Sequence, residues 1–179
     1  FDPDELDLNI YRRAVQAMQK QLMQVWDQRE SGLPLKTPYE LLILASIVEK
    51  ETGRLSDRNL VSAVFINRLN KGMPLQTDPT VIYGIGPKFD GNLKKADLRR
   101  DTPYNTYMHK GLPPTPIAMP SKESILAAAH PAKSNALFFV AKGDGSSHFS
   151  SSLSEHENAV DRYQRKSSAK VNQQKSIFP

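Results

Sequence analysis

"TPYELLILASIVEKETG" (residues 37–53) decides how this chain is read. A threonine, a proline and a glutamate at positions 37, 38 and 40 spell a capping box with proline in the first turn, so a helix begins there. Residues 41–48 are then almost wholly apolar, which marks a helix buried on most sides. Gly53 is expected to stop it. Two glutamates, Glu49 and Glu51, fall in its last turn, where the helix macrodipole disfavours a carboxylate by about 0.3–1 kcal/mol. Two readings follow. Both acids are solvated at a fraying end, with Lys50 between them to offset the charge. Or one of them lines a cleft, where burial and the helix end both raise its pKa and keep its proton at neutral pH. Such a carboxyl is a general acid, suited to protonating a glycosidic oxygen. Glu49 shares a stripe with Leu42, Ala45, Ser46 and Thr52, whereas Glu51 lies above Leu44, Ile47 and Val48. Periodicity alone does not choose between them.

Working outward, residues 12–30 carry apolar side chains at helical spacing, with Met18, Met23 and Trp26 expected in the core. Ser56 is expected to cap a helix that ends at Gly72, with Leu60, Val61, Val64, Phe65 and Leu69 on its buried face. Asp78 before Pro79 reads as the cap of a short helix. The segment 99–120 is long and rich in proline, tyrosine and threonine; ordered loops of that length are usually functional. Ser121 opens a further helix stopped by Pro131. Residues 136–141 and the glycine-rich turn "KGDGSSH" form a β-hairpin, and Ser154 with Glu157 forms a second capping box for a helix to about Lys166. The expected fold class is α+β, mainly helical with one small β-hairpin.

Composition removes several classes of function. The 179 residues contain no cysteine, so disulfides and thiolate metal sites are excluded. The four histidines lack metal-ligand spacing, and no metal or other cofactor is expected. No phosphate-binding loop, dinucleotide fingerprint or nucleophile elbow is present. The longest apolar run is far too short for a membrane span. The net charge of +5 is modest, and the basic "LKKADLRR" lacks interleaved exposed aromatics, so nucleic acid is not an expected partner.

Several strings together carry a resemblance: "LASIVEKET", "VFINRLNKGMPLQTDPTVIYG", "YNTYMHKGLPPTPIAMPS" and "AAAHPAKSNALFFVAKGDGSSHFSSSLSEH". They run in order from about residue 38 to about 163 and resemble the bacterial endolytic murein transglycosylases, the YceG-like family. The resemblance implies a lyase that cleaves the MurNAc–GlcNAc bond inside peptidoglycan glycan strands and leaves 1,6-anhydro-MurNAc ends. It assigns the general acid, and then base, to the first glutamate of the "IVEKET" string, Glu49, with Glu51 and Ser46 in support. A lysozyme-like catalytic cleft is implied, with Gln76, Asp78, Thr80, Tyr83, Tyr104, Asn105 and Tyr107 binding the sugar chain.

The same resemblance divides the chain into a helical lead-in at 1–37, a catalytic domain at 38–166 and a basic flexible tail at 167–179. The lead-in would follow a missing small domain and membrane anchor, placing the protein at the periplasmic face of the bacterial inner membrane. Peptidoglycan strands and cell-wall synthases are the implied partners. One carboxyl suffices when the sugar's own 6-hydroxyl attacks, since the group first gives a proton and then takes one back. Two rivals remain: a muramidase, which would need Asp78 to activate water, and a non-catalytic peptidoglycan-binding module.

Overall fold

The computed structural model describes residues 7–165. Helix α1 (Asp7–Asp27) lies across a central helix, α2 (Pro38–Glu51), which also packs against α3 (Arg58–Asn70), α4 (Asp78–Ile85) and α5 (Lys122–Ala129). Strands β1 (Phe138–Ala141) and β2 (Ser147–Ser150) pair antiparallel with Phe138 opposite Ser150, and α6 (Leu153–Val160) follows. The α+β class holds: helices around one core, with a two-stranded sheet at the side. Among the described residues no helix is long and apolar enough to cross a membrane. The basic tail at 167–179 lies outside the described residues.

The central position of α2 follows from its sequence. Leu41, Leu44, Ala45, Ile47 and Val48 are all fully buried, so every side of the helix has a neighbour to bury against. Its start is fixed as expected: the Thr37 hydroxyl accepts from the Glu40 N–H at 3.2 Å, with Pro38 at the first position. The Glu40 carboxylate reaches back one residue further than in a simple box, to the N–H of Lys36 at 2.5 Å. The stop differs from expectation. Thr52, in extended conformation, closes the helix, and Gly53 has no left-handed φ to contribute.

Other boundaries also shift. Ser56 does not cap α3; residues Leu55–Asp57 form a tight 3-10 turn, and Ser56 donates to the Asp57 carboxylate instead. Asp57, itself buried, accepts from the N–H of Ser147 at 2.8 Å and so fastens this turn to β2. The second capping box belongs to Ser152 and Glu155, not Ser154 and Glu157. Asp78 is the first residue of α4 and the cap position falls to Thr77. In α1, Leu22 and Val25 are buried and Met18 and Trp26 pack beside them, but Met23 is exposed.

Two long-range connections place the walls around α2. Asn67 Nδ2 donates to the carbonyls of Ser134 (2.8 Å) and Ala136 (2.9 Å), which seats the hairpin on the end of α3. The loop 99–120 folds around Asn105, which is fully buried; its amide donates to the carbonyls of Leu98 (3.1 Å) and Arg100 (2.7 Å) and accepts from the N–H of Tyr107 at 2.9 Å. The Ser46 hydroxyl, buried within α2, accepts from the Ile117 N–H at 3.0 Å and anchors the far end of that loop.

Candidate active site

The two acids at the end of α2 leave it on different sides. Glu49 turns toward α5. Its Oε2 accepts from the Ser121 N–H (3.0 Å), the Ser121 hydroxyl (2.6 Å) and the Ser124 hydroxyl (2.6 Å), while Arg58 Nη2 lies 3.5 Å from Oε1. Burial acts to raise this carboxyl's pKa, but the two hydroxyls, the backbone N–H and the guanidinium together outweigh it and bring it down to about 2. Glu49 is therefore a fixed anion, tied to the first turn of a neighbouring helix where negative charge is favoured.

Glu51 turns the other way, into an open groove of about 400 Å³. Thr77 donates its hydroxyl to Oε1 in a short hydrogen bond. Oε2 has no hydrogen-bond partner among the described residues. Burial raises the Glu51 pKa; the Thr77 bond opposes this, and the Asp78 carboxylate nearby adds to the rise. Of the two carboxyls at the helix end, this is the one whose proton is held more firmly than in water.

One side of the groove is built by the turn before α4 and by loop 99–120. Tyr107 donates its hydroxyl to Asp78 Oδ1 at 2.5 Å, and both side chains line the space beside Glu51. Burial and that hydrogen bond hold the phenol well above its usual pKa, so it remains a donor. Gln76 holds a φ of +51°, a left-handed conformation costly for a side chain of that size. It is fixed there from two directions: its N–H donates to the Thr106 carbonyl at 3.0 Å, and its side-chain oxygen accepts from Arg68 at 3.2 Å.

The opposite side comes from α3, the hairpin and α6. Arg68 is only 7% exposed. Its Nε donates to the Leu137 carbonyl (2.7 Å) and its Nη1 to those of Pro74 (3.2 Å) and Leu75 (3.0 Å). Phe138 lies beneath the guanidinium, 5.1 Å from ring centre to Cζ, and stacks on the His156 imidazole. Burial and the Arg68 charge lower the His156 pKa below its ordinary 6.5, leaving the ring neutral at pH 7. Among the described residues no cluster of histidines and acids could hold a metal ion.

A groove with a carboxyl of raised pKa, an amide, a phenol and an aromatic wall is suited to a polar chain such as a glycan. The chain matches the model of the YceG-like family over residues 1–162. The chain belongs to the YceG-like family. It is 47% identical over 125 residues to the endolytic murein transglycosylase of Bacillus subtilis, covering 70% of this chain and 34% of that one. It is 38% identical over 130 residues to the protein of the same name from Streptococcus pneumoniae, covering 69% and 23%. The chain thus spans about a third or less of the curated relatives it matches. The crystal structure of a yceG-like protein from Listeria monocytogenes aligns with a TM-score of 0.62 at 43% identity, over 68% of this chain and 38% of that one.

The residues singled out by family resemblance separate into two groups. Gln76, Asp78 and Tyr107 line the groove, as does Glu51. Thr80 and Asn105 do not; both are fully buried and spend their hydrogen bonds on Thr77, Thr106 and loop carbonyls. Tyr104 packs its ring against Tyr83 and bonds Thr115 at 2.9 Å, so this pair braces α4 against the loop away from the groove lining. Ser46 anchors the loop from within the core. Glu49, to which the resemblance assigns the acid, faces Ser121 and Ser124, whereas Glu51 lines the groove beside Gln76, Asp78 and Tyr107. Arg68 and His156 were not anticipated. The signal for Arg68 was a charge on the same helical stripe as Val61, Val64 and Phe65.

Proposed function

We propose that this chain carries the catalytic unit of a lytic transglycosylase acting within peptidoglycan glycan strands, with Glu51 as proton donor and acceptor in place of Glu49. One observation carries the reading: Glu51 is a carboxyl lining the groove, with Oε1 held by Thr77 and burial raising its pKa. The names of the relatives from B. subtilis and S. pneumoniae supply the substrate class. In this proposal the groove is a lysozyme-like cleft, and the protein reaches its substrate on the periplasmic side of the inner membrane.

Protonated Glu51 gives its proton to the oxygen of the MurNAc–GlcNAc bond as the C1–O bond breaks. The 6-hydroxyl of the same MurNAc attacks C1, and its proton returns to the Glu51 carboxylate. One C–O bond is lost and one gained, no water is consumed, and the acid is regenerated. The tethered hydroxyl has the entropic advantage of an intramolecular nucleophile. The Asp78 carboxylate, beside the site, favours the positive charge that develops on the sugar. Glu49 holds the end of α2 in place by its bonds to α5 and Arg58.

Digestion of purified glycan strands tests the reading. The expected products end in 1,6-anhydro-MurNAc, which borohydride does not reduce, and they disappear with Glu51→Gln. A muramidase is the second reading, because Asp78 puts another carboxylate in the same groove. Reducible MurNAc ends would establish that chemistry. Strands bound but uncut would leave a glycan-binding module.

A further inference from the structure

Arg68 is a buried cation without an acidic partner among the described residues. Its Nε and Nη1 are satisfied by three backbone carbonyls and the Gln76 amide, none of which carries a negative charge. Nη2 makes no hydrogen bond among the described residues. A guanidinium taken out of water in this way ordinarily has a carboxylate or phosphate on its free edge. The residue lines the groove, so that edge is approached from the substrate side.

A second group points the same way. His156 lines the same groove, and its buried Nδ1 has no hydrogen-bond partner. The imidazole and the guanidinium share the Phe138 ring as a neighbour. A neutral imidazole with an N–H on Nδ1 is a donor in search of an acceptor. Of the acidic groups, Glu51 and Asp78 line the groove on the α4 side, with Tyr107 feeling both them and Arg68, while Glu157 acts on His156 from its own helix and does not line the groove. The groove thus has its carboxyls on the α4 side and the Arg68 cation on the side of α3 and the hairpin.

We propose that the Arg68–His156 end of the groove is a subsite for a carboxylate carried by the glycan strand. This rests on the reading of the substrate as peptidoglycan and names a specificity element within it. Two carboxylates have that chemistry: the lactyl group of a MurNAc stripped of its peptide, and a free carboxylate on an attached stem peptide. A strand of GlcNAc alone has neither. Planar, bidentate recognition of a carboxylate is what a fixed guanidinium edge provides.

The test measures binding and cleavage separately. A Glu51→Gln chain, unable to turn over, is titrated with three labelled oligosaccharides of equal length: chitin-derived, peptide-stripped peptidoglycan, and peptide-bearing peptidoglycan. A charge-assisted contact predicts about tenfold tighter binding of a carboxylated strand than of the chitin strand. Tighter binding of the stripped strand names the lactyl carboxylate, and of the peptide-bearing strand alone, the stem peptide. His156→Ala, and separately Arg68→Lys to retain charge with altered geometry, should erase most of that preference while chitin binding changes less; Arg68→Lys should also lower the melting temperature, because the Leu137, Pro74 and Leu75 carbonyls lose donors. Equal binding of all three strands, or variants that weaken chitin binding as much as the others, overturns the proposal. Loss of cleavage in the unmutated chain, with the preference intact, would instead count against the transglycosylase reading alone.

Discussion

Glu49 and Glu51 stand two residues apart on one helix and have opposite electrostatic fates. Two steps of an α-helix rotate a side chain by about 200°, so one acid meets the Ser121 end of α5 and the other meets Thr77 before α4. The pKa of the first is lowered to about 2 and that of the second is raised. The difference comes from what each meets, not from the helix end they share.

Amide substitutions at these positions should therefore have opposite effects. The Glu49 pKa of about 2 lies below the ordinary 4.5, so its contribution to stability is present above pH 4.5 and lost as pH falls toward 2. Glu49→Gln should cost on the order of 2 kcal/mol at pH 7, because Arg58 loses its counter-charge and two serines lose an anionic acceptor. Glu51 is raised, so its contribution is present below 4.5 and lost as pH climbs through the folded value. Glu51→Gln should match the parent at pH 4 and equal or exceed it at pH 8, while abolishing cleavage. Urea denaturation at both pH values, beside a cleavage assay, measures this. A Glu51→Gln chain that cleaves normally would remove it as the acid.

Activity should fall as pH rises through the Glu51 pKa, since the donor must be protonated. Asp78 adds to that elevation, so Asp78→Asn should move the alkaline limb of the rate profile toward lower pH. An unmoved limb with an unchanged maximum would mean that the titration belongs to another group.

Tyr107→Phe removes the hydroxyl that Asp78 accepts from. The expected result is a loss of about tenfold in kcat/KM with melting almost unchanged, because the phenol lies at the groove and is not part of the core. Kinetics and thermal melts on the same preparation check both halves.

Asn105→Ala should behave in the reverse manner. This side chain serves the loop's own backbone, and its removal strands several buried carbonyls and an N–H. A loss of about 2–3 kcal/mol in stability is expected, with activity declining only as the folded fraction declines. A cleavage defect at full stability would return Asn105 to the substrate-binding set.

What the sequence made legible was local. Thr37 and Ser121 announce their helices because the donors they satisfy are three residues away. "SSLSEHE" contains two overlapping boxes, and the choice of Ser152 and Glu155 over Ser154 and Glu157 depends on how β2 ends, which no local pattern contains. Glu49 and Glu51 were marked as unusual by their place at a helix terminus. Their roles could not be divided from periodicity, since the deciding partners lie 72 and 26 residues further along the chain. Thr80 and Asn105 sit in the strings that carry the family resemblance, yet a polar residue in such a string can face inward as readily as toward a ligand.

The seating of residues 134–136 on Asn67 has a consequence for the order of events in synthesis. Those contacts close a span of nearly seventy residues, and the wall carrying Phe138 and His156 lies beyond it. Ordering so distant a segment comes late, since the entropy of closing the loop must be met before the contacts reward it. Glu51 is made before the far wall, and a growing chain holds it on a groove with one side missing. The groove is closed only after residues 134–156 have been added and seated.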